Sequence, residues 1–199
     1  MDEFDHRFGV STTVRGAVDG LRRSGVPANL RAVTDPIVLD GLRPVDADDG
    51  DLRTLTAFLN WMRESVIVKA TGVTEEQGRA PVASGTSLFG LVKHLAVAES
   101  YWFDVVFQGV DAPIDFTMQV SAEETGPALI ARYREAIGHS NAIIAACGDA
   151  EARSVGPPGP ARSLRWIITH MIQETARHAG HADILRENLD GSVGHRIPS

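Results

Sequence analysis

Four long segments of the chain repeat apolar residues at spacings of three and four, which confines them to helices packed along one face. The first runs from about Asp51 to Ala70, with Leu52, Leu55, Leu59, Met62 and Val66 on one stripe. The second, from about Ser87 to Gln108, turns Leu88, Leu91, Leu95, Ala98, Trp102 and Val105 inward. The third, from about Ala122 to Cys147, uses Leu129, Tyr133, Ile137 and Ile144, and the fourth runs from about Leu164 to Leu189. Strand signals are scarce and no internal repeat is visible. The expected fold is therefore all-α, a bundle of four helices around a shared core.

The boundaries have local causes. Ser121 precedes Glu124 in a capping-box pattern, and Ser163 offers an N-cap to the fourth segment. Gly191 stands just past that segment's end, where a left-handed residue is wanted. Thr74 with Gln77 predicts a short helical turn between the first two long helices. The connections Gly72–Thr86, Gly109–Ser121 and Gly148–Arg162 are rich in Gly, Pro and small polar residues, and the run GPPGP at 156–160 cannot continue a helix. Val14–Leu21 is weakly periodic, but Gly16, Gly20, Gly25, Pro27 and Pro36 interrupt the N-terminal region. The expected organisation is a loosely ordered extension over 1–42, a bundle over 43–191 and a short tail over 192–199.

Charge and composition exclude several functions. The chain has 199 residues, a formal net charge of −7 and a pI near 5.4, without the basic stripe that binding to nucleic-acid phosphates needs. Cys147 is the single cysteine, which leaves no internal disulfide and no cysteine zinc cluster. The start MDEFDHRFGVS is acidic where a signal peptide is basic, and no apolar run is long enough to span a bilayer. The expectation is a soluble protein of the cytoplasm with no membrane partner. No G-x-S-x-G elbow or phosphate-binding loop occurs, which disfavours hydrolases and kinases.

The fourth segment carries the chemistry. Its inward stripe counts as Leu164, Ile167, Met171, Glu174, His178, His181, Leu185 and Leu189. Three polar residues thus stand in the middle of an apolar seam. Burying each without a partner costs about 2–7 kcal/mol, and more for a charge. A metal ion is one way to compensate them. Glu174 and His178, four residues apart, project from one face, and helical bundles build metal sites from carboxylates and histidines on facing helices. His94, between Leu91 and Ala98 on the second segment, is the best third ligand. A buried hydrogen-bond network would satisfy the same groups, and for His94 alone that is the commoner outcome.

The strings GTSLFGLVKHLAVAESYWF and ETARHAGHADILRE, taken together, resemble the DinB-like metalloprotein superfamily in its DUF664-type branch. The resemblance covers roughly Leu42 to Gly191, in order and with matching helix spacing. It implies a four-helix bundle with a long crossover connection. It also implies one metal-binding His from the second helix, here His94, and an E-x-x-x-H pair from the fourth, here Glu174 and His178. That pair matches the version in mycothiol-dependent maleylpyruvate isomerases. Many relatives have histidine where Glu174 stands; the carboxylate adds negative charge and favours a hard or borderline divalent ion. Zinc is the first expectation, and nickel, manganese or iron can fill the same ligand set.

Three protein ligands leave a position open, as in catalytic zinc sites. The resemblance implies that such a site activates a low-molecular-weight thiol, mycothiol among them, which then attacks a small electrophile or helps isomerise a double bond. The expected function is a metal-dependent thiol transferase or isomerase. A non-catalytic metal-binding stress or interaction protein is the alternative, and a metal-free bundle acting as a homodimer is a further one. His170 and His181 are expected to orient ligands rather than bind the ion. Glu99 is expected either to hydrogen-bond near the site or to form a surface salt bridge. Tyr101, Trp102 and Trp166 can wall a pocket or simply fill core, and His6, His139 and His195 read as surface residues.

Overall fold

A computed structural model describes residues 50–157 and 159–194. The N-terminal extension expected over 1–42, with its weak period at Val14–Leu21, lies outside the described residues, as do His6 and His195. Helix α1 spans Asp51–Ala70 and α2 is the short turn Glu75–Arg79. Helix α3 covers Leu88–Ser100 and runs on as a π-helical segment over Tyr101–Phe107. Helices α4 (Gly126–Cys147) and α5 (Leu164–Asp190) complete the bundle. Among the described residues there is no strand, only an isolated bridge between Arg153 and Ser163.

The caps are largely those the side chains dictate. Thr74 accepts from the Gln77 N–H while the Gln77 side chain accepts from the Thr74 N–H, a complete capping box. Ser87 and Ser163 cap α3 and α5 through the N–H groups of Gly90 and Trp166. Gly191 ends α5 at φ 75°, its N–H donating to the Glu187 carbonyl. The third long helix departs from expectation. The Glu124 carboxylate does accept from the Ser121 N–H, at 2.9 Å, but this closes a turn. The helix begins four residues later than Ala122, at Gly126, where Thr125 caps the Ala128 N–H and a proline follows in the first turn. Proline already lacks the N–H that a first turn leaves unpaired, so it fits there.

Helix α1 packs along α5 and α3 along α4, with α3 also touching α5 and α1 touching α4. Arg186 of α5 donates to the carbonyls of Lys69 and Thr71 at 2.9 and 2.7 Å, capping the end of α1. The apolar core falls into two large parts. One gathers Leu59, Phe103, Ile144, Ile167 and Met171; the other gathers Val66, Leu95, Tyr133, Ile137 and Ala179. Along α1, α4 and α5 the break falls at Arg63, at Asn141 and at Glu174–Thr175, and on α3 it falls between Ala96 and Ala98, next to Glu99. The bundle has a polar waist.

The π segment shifts the register of the second stripe. Trp102 and Val105, expected inward, are only partly buried, while Phe103, Val106 and Phe107 take the buried places. One extra residue per turn delays the core face by one position. The connection after α4 is laid against this segment: Val155 and Gly156 donate to the carbonyls of Phe107 and Val106. A Cβ at Gly156 would collide with the Val105 carbonyl.

Candidate metal centre

At the waist, α3 and α5 present His94, Glu174 and His178 to one another. Ser87 sets the start of α3, and its stripe of Leu88, Leu91, Leu95 and Ala98 is buried, which leaves His94 on the edge facing α5. On α5 the buried line Ile167, Met171, Thr175, His178 and Ala182 puts Glu174 beside it, four residues before His178. His178 Nε2 lies 3.0 Å and His94 Nε2 lies 3.2 Å from the same oxygen, Glu174 Oε1. One ligand atom from each of the three residues lies within 4.8 Å of the others. The two imidazole rings meet edge to face, with centroids 4.9 Å apart.

Hydrogen bonds from His178 and then His94 hold the Glu174 carboxyl well below the usual carboxylate range, outweighing the opposing effect of burial. The cluster is not sealed. The side chains of Glu174, His94 and His178 keep 23%, 14% and 9% of their surface open. His94 Nδ1 and His178 Nδ1 are nevertheless buried and have no hydrogen-bond partner.

The donor set fits a divalent ion. Two imidazole nitrogens and one carboxylate oxygen are ligands that zinc takes at about 2.0–2.2 Å, and tetrahedral geometry then separates ligand atoms by about 3.3 Å. The two nitrogen-to-oxygen separations here are close to that value. A small rotation of each ring would turn a nitrogen lone pair toward a shared centre, at the cost of two hydrogen bonds to Glu174.

The neighbouring side chains divide into those the sequence anticipated and those it did not. His170, one turn before Glu174, is half-buried between Trp102, 4.5 Å away, and Trp166, stacked within 3° of parallel at 5.3 Å. Tyr101 and Trp102 are partly buried and meet edge to face with ring centroids 5.2 Å apart, while Trp166 is exposed. His181, placed on the inward seam by spacing, is exposed; the seam passes over Ala182, which is fully buried. The His181 ring packs against His178 from outside, at 5.6 Å. Glu99 forms no surface salt bridge: it is buried, gripped by the Arg63 guanidinium through Nε–Oε1 at 2.8 Å and Nη2–Oε2 at 2.5 Å. His139 is exposed and paired with Asp104.

Phe116 was not foreseen. It sits in the crossover between the π segment and α4, 5.8 Å from the His94 ring and 5.2 Å from Tyr101. Gly90 makes this possible. A Cβ there would lie 2.5 Å from the Met118 carbonyl oxygen, so only glycine lets the crossover lie on α3. The sequence shows only that Ile114, Phe116, Met118 and Val120 alternate with polar residues, which marks one apolar side of the connection without saying what it meets. No helix among the described residues is long and apolar enough to cross a membrane.

The mycothiol-S-transferase family model matches residues 54–191, from the first turn of α1 to the glycine that closes α5. No curated protein and no solved structure matches the chain.

Proposed function

The chain belongs to the mycothiol-S-transferase family, within the DinB-like superfamily, and from that premise we propose that it joins a low-molecular-weight thiol of the mycothiol kind to a small electrophile. His94, Glu174 and His178 hold a divalent ion for this reaction. Zinc is the first choice for two imidazoles and a carboxylate. The observation that carries the reading is an open triangle of donors. Two imidazoles from different helices meet one carboxylate oxygen at 3.0 and 3.2 Å, on a side that solvent reaches.

When bound, an ion of this type lowers the pKa of a thiol held against it and keeps the sulfur nucleophilic at neutral pH. The protein's own contribution is placement and exclusion. The Glu174 carboxylate supplies one negative charge, which leaves a net positive centre with a divalent ion and so still attracts a thiolate. The rings of Phe116, Tyr101 and Trp102 form a continuous wall beside His94, with successive centroids 5.2 Å apart. That wall keeps water from one side of the reacting sulfur and offers an apolar surface to the electrophile. A free-thiol substrate needs a reducing compartment, which makes the cytoplasm the proposed location.

The test is direct. Zinc-loaded protein is incubated with mycothiol and monochlorobimane, and the thioether is followed by fluorescence and mass spectrometry. The expected result is conjugate formation above the uncatalysed rate, abolished in His178→Ala and by a chelator. Metal binding with no thiol-dependent turnover would make this a metal-binding protein of another kind.

A further inference from the structure

The groups around the triad leave one imidazole unexplained. No hydrogen bond to His170 is seen among the described residues, yet its ring is half-buried against two indoles. Trp166 stacks on it, nearly parallel at 5.3 Å, and Trp102 closes at 4.5 Å. The Arg162 guanidinium in turn lies over Trp166, 4.6 Å from the ring centroid. A stack of this kind fixes the plane of an imidazole through its faces and leaves the nitrogens on its edge free. Its place is also specific. Residues 170 and 174 are one helical turn apart on α5, so their side chains rise from the same strip of surface. The same Trp102 that closes on His170 touches Tyr101, which leads through Phe116 to His94.

Resting on the thiol-transfer reading above, we propose that His170 is a catalytic residue: it accepts the proton of the incoming thiol and releases it to a basic leaving group or, where the leaving group is a halide, to solvent. The steps balance. The S–H bond breaks with its electron pair left on sulfur, and the proton moves to a ring nitrogen of His170. The sulfur then forms a bond to the electrophilic carbon as the carbon–leaving-group bond breaks, its pair departing with the leaving group. The proton on His170 passes to that group or to solvent. The charge state suits the first step. Burial beside the tryptophans lowers the pKa of His170, an effect larger than the upward pull of the Glu174 carboxylate and aided by Arg177. A neutral imidazole can accept a proton; an imidazolium cannot.

Mere packing predicts something different. If His170 only fills space between two indoles, a phenyl ring serves equally well. His170→Phe keeps an aromatic ring in the stack and removes both nitrogens, and His170→Gln is the second variant should the first fold poorly. Cobalt-substituted protein is mixed rapidly with mycothiol, and the sulfur-to-cobalt absorption band reports thiolate formation without any electrophile. The wild type and both variants are expected to reach the same final amplitude. The variants should approach it about 100-fold more slowly, the usual scale for losing a positioned base, and added imidazole should restore the rate. Turnover of monochlorobimane should fall and recover in parallel.

Equal rates in wild type and variants, including rates too fast to separate, overturn the assignment while leaving thiol transfer standing. Loss of cobalt from the variants also overturns it, because His170 would then be a ligand. Absence of the sulfur band in the wild type itself overturns the thiol-transfer reading, and this assignment with it.

Discussion

Two carboxylates meet basic side chains at the waist of this bundle, and they are solved in opposite ways. Glu99 and Arg63 are sealed in the core, 0% and 1% exposed, and all three guanidinium nitrogens have acceptors. Besides the two bonds to Glu99, Arg63 Nη1 donates to Asn60 and Asn141 at 2.7 and 2.9 Å, and Asn141 donates back to Asn60. Glu174, a helix away, has two imidazoles crowded on one oxygen, two buried ring nitrogens without partners and an opening to solvent. A polar cluster that serves the fold is closed and saturated, because each missing partner in a buried site costs stability. A cluster that serves a ligand is left short of partners on the side from which the ligand comes. The difference distinguishes the two although both are acid–base groups in the middle of apolar seams.

That contrast can be broken in order of expected effect. Glu99→Ala strands the Arg63 charge and is expected to cost about 3–5 kcal/mol in urea denaturation, with zinc binding by the folded fraction unchanged. A small loss would mean that the sealed cluster is not what holds the waist. Zinc at 100 times its dissociation constant should stabilise the wild type by about 2.7 kcal/mol and Glu174→Ala not at all. Equal stabilisation of the two would move the ion elsewhere. Ser163→Ala removes the cap of α5, far from both clusters, and should cost about 1 kcal/mol with no change in zinc affinity.

The smallest effect concerns acid. Glu174 is held below the usual carboxylate range by its hydrogen bonds to His178 and His94. A carboxyl whose folded pKa is depressed adds stability that is present above its unfolded value, near 4.5, and is lost as pH falls toward the folded value. Metal-free protein should therefore lose stability on acidification below about pH 4.5, and Glu174→Gln should lose less over the same window. Parallel acid curves for the two proteins would show that the imidazoles do not bind that carboxylate.

What could be read from the sequence was set by range. The Thr74–Gln77 box, the Ser163 cap and the Gly191 end depend on residues within a turn of one another, so spacing alone found them. The E-x-x-x-H pair on α5 was equally local, and the motif strings tied it to His94 across 80 residues. The π segment was not legible. One inserted residue leaves composition untouched and moves Trp102 and Val105 off the core, since the stripe can be continued only if the helix stays regular. The same sensitivity explains His181. A step of three from His178 fits the seam as well as a step of four to Ala182, and only packing against α1 and α3 decides between them. Arg63 was passed over because Met62 completes the apolar stripe of α1 equally well, and the partner that buries Arg63 lies 36 residues away. Phe116 depended on how the crossover crosses α3 at Gly90, a tertiary fact that has no local signature.

The most direct measurement is elemental analysis of freshly purified full-length protein, wild type beside His178→Ala, with folding of both checked by circular dichroism. Close to one divalent ion per wild-type chain, and almost none in the folded variant, is the expected result. A folded wild type that carries no ion and takes up none from added zinc would reduce the triangle at His94, Glu174 and His178 to a hydrogen-bonded cluster.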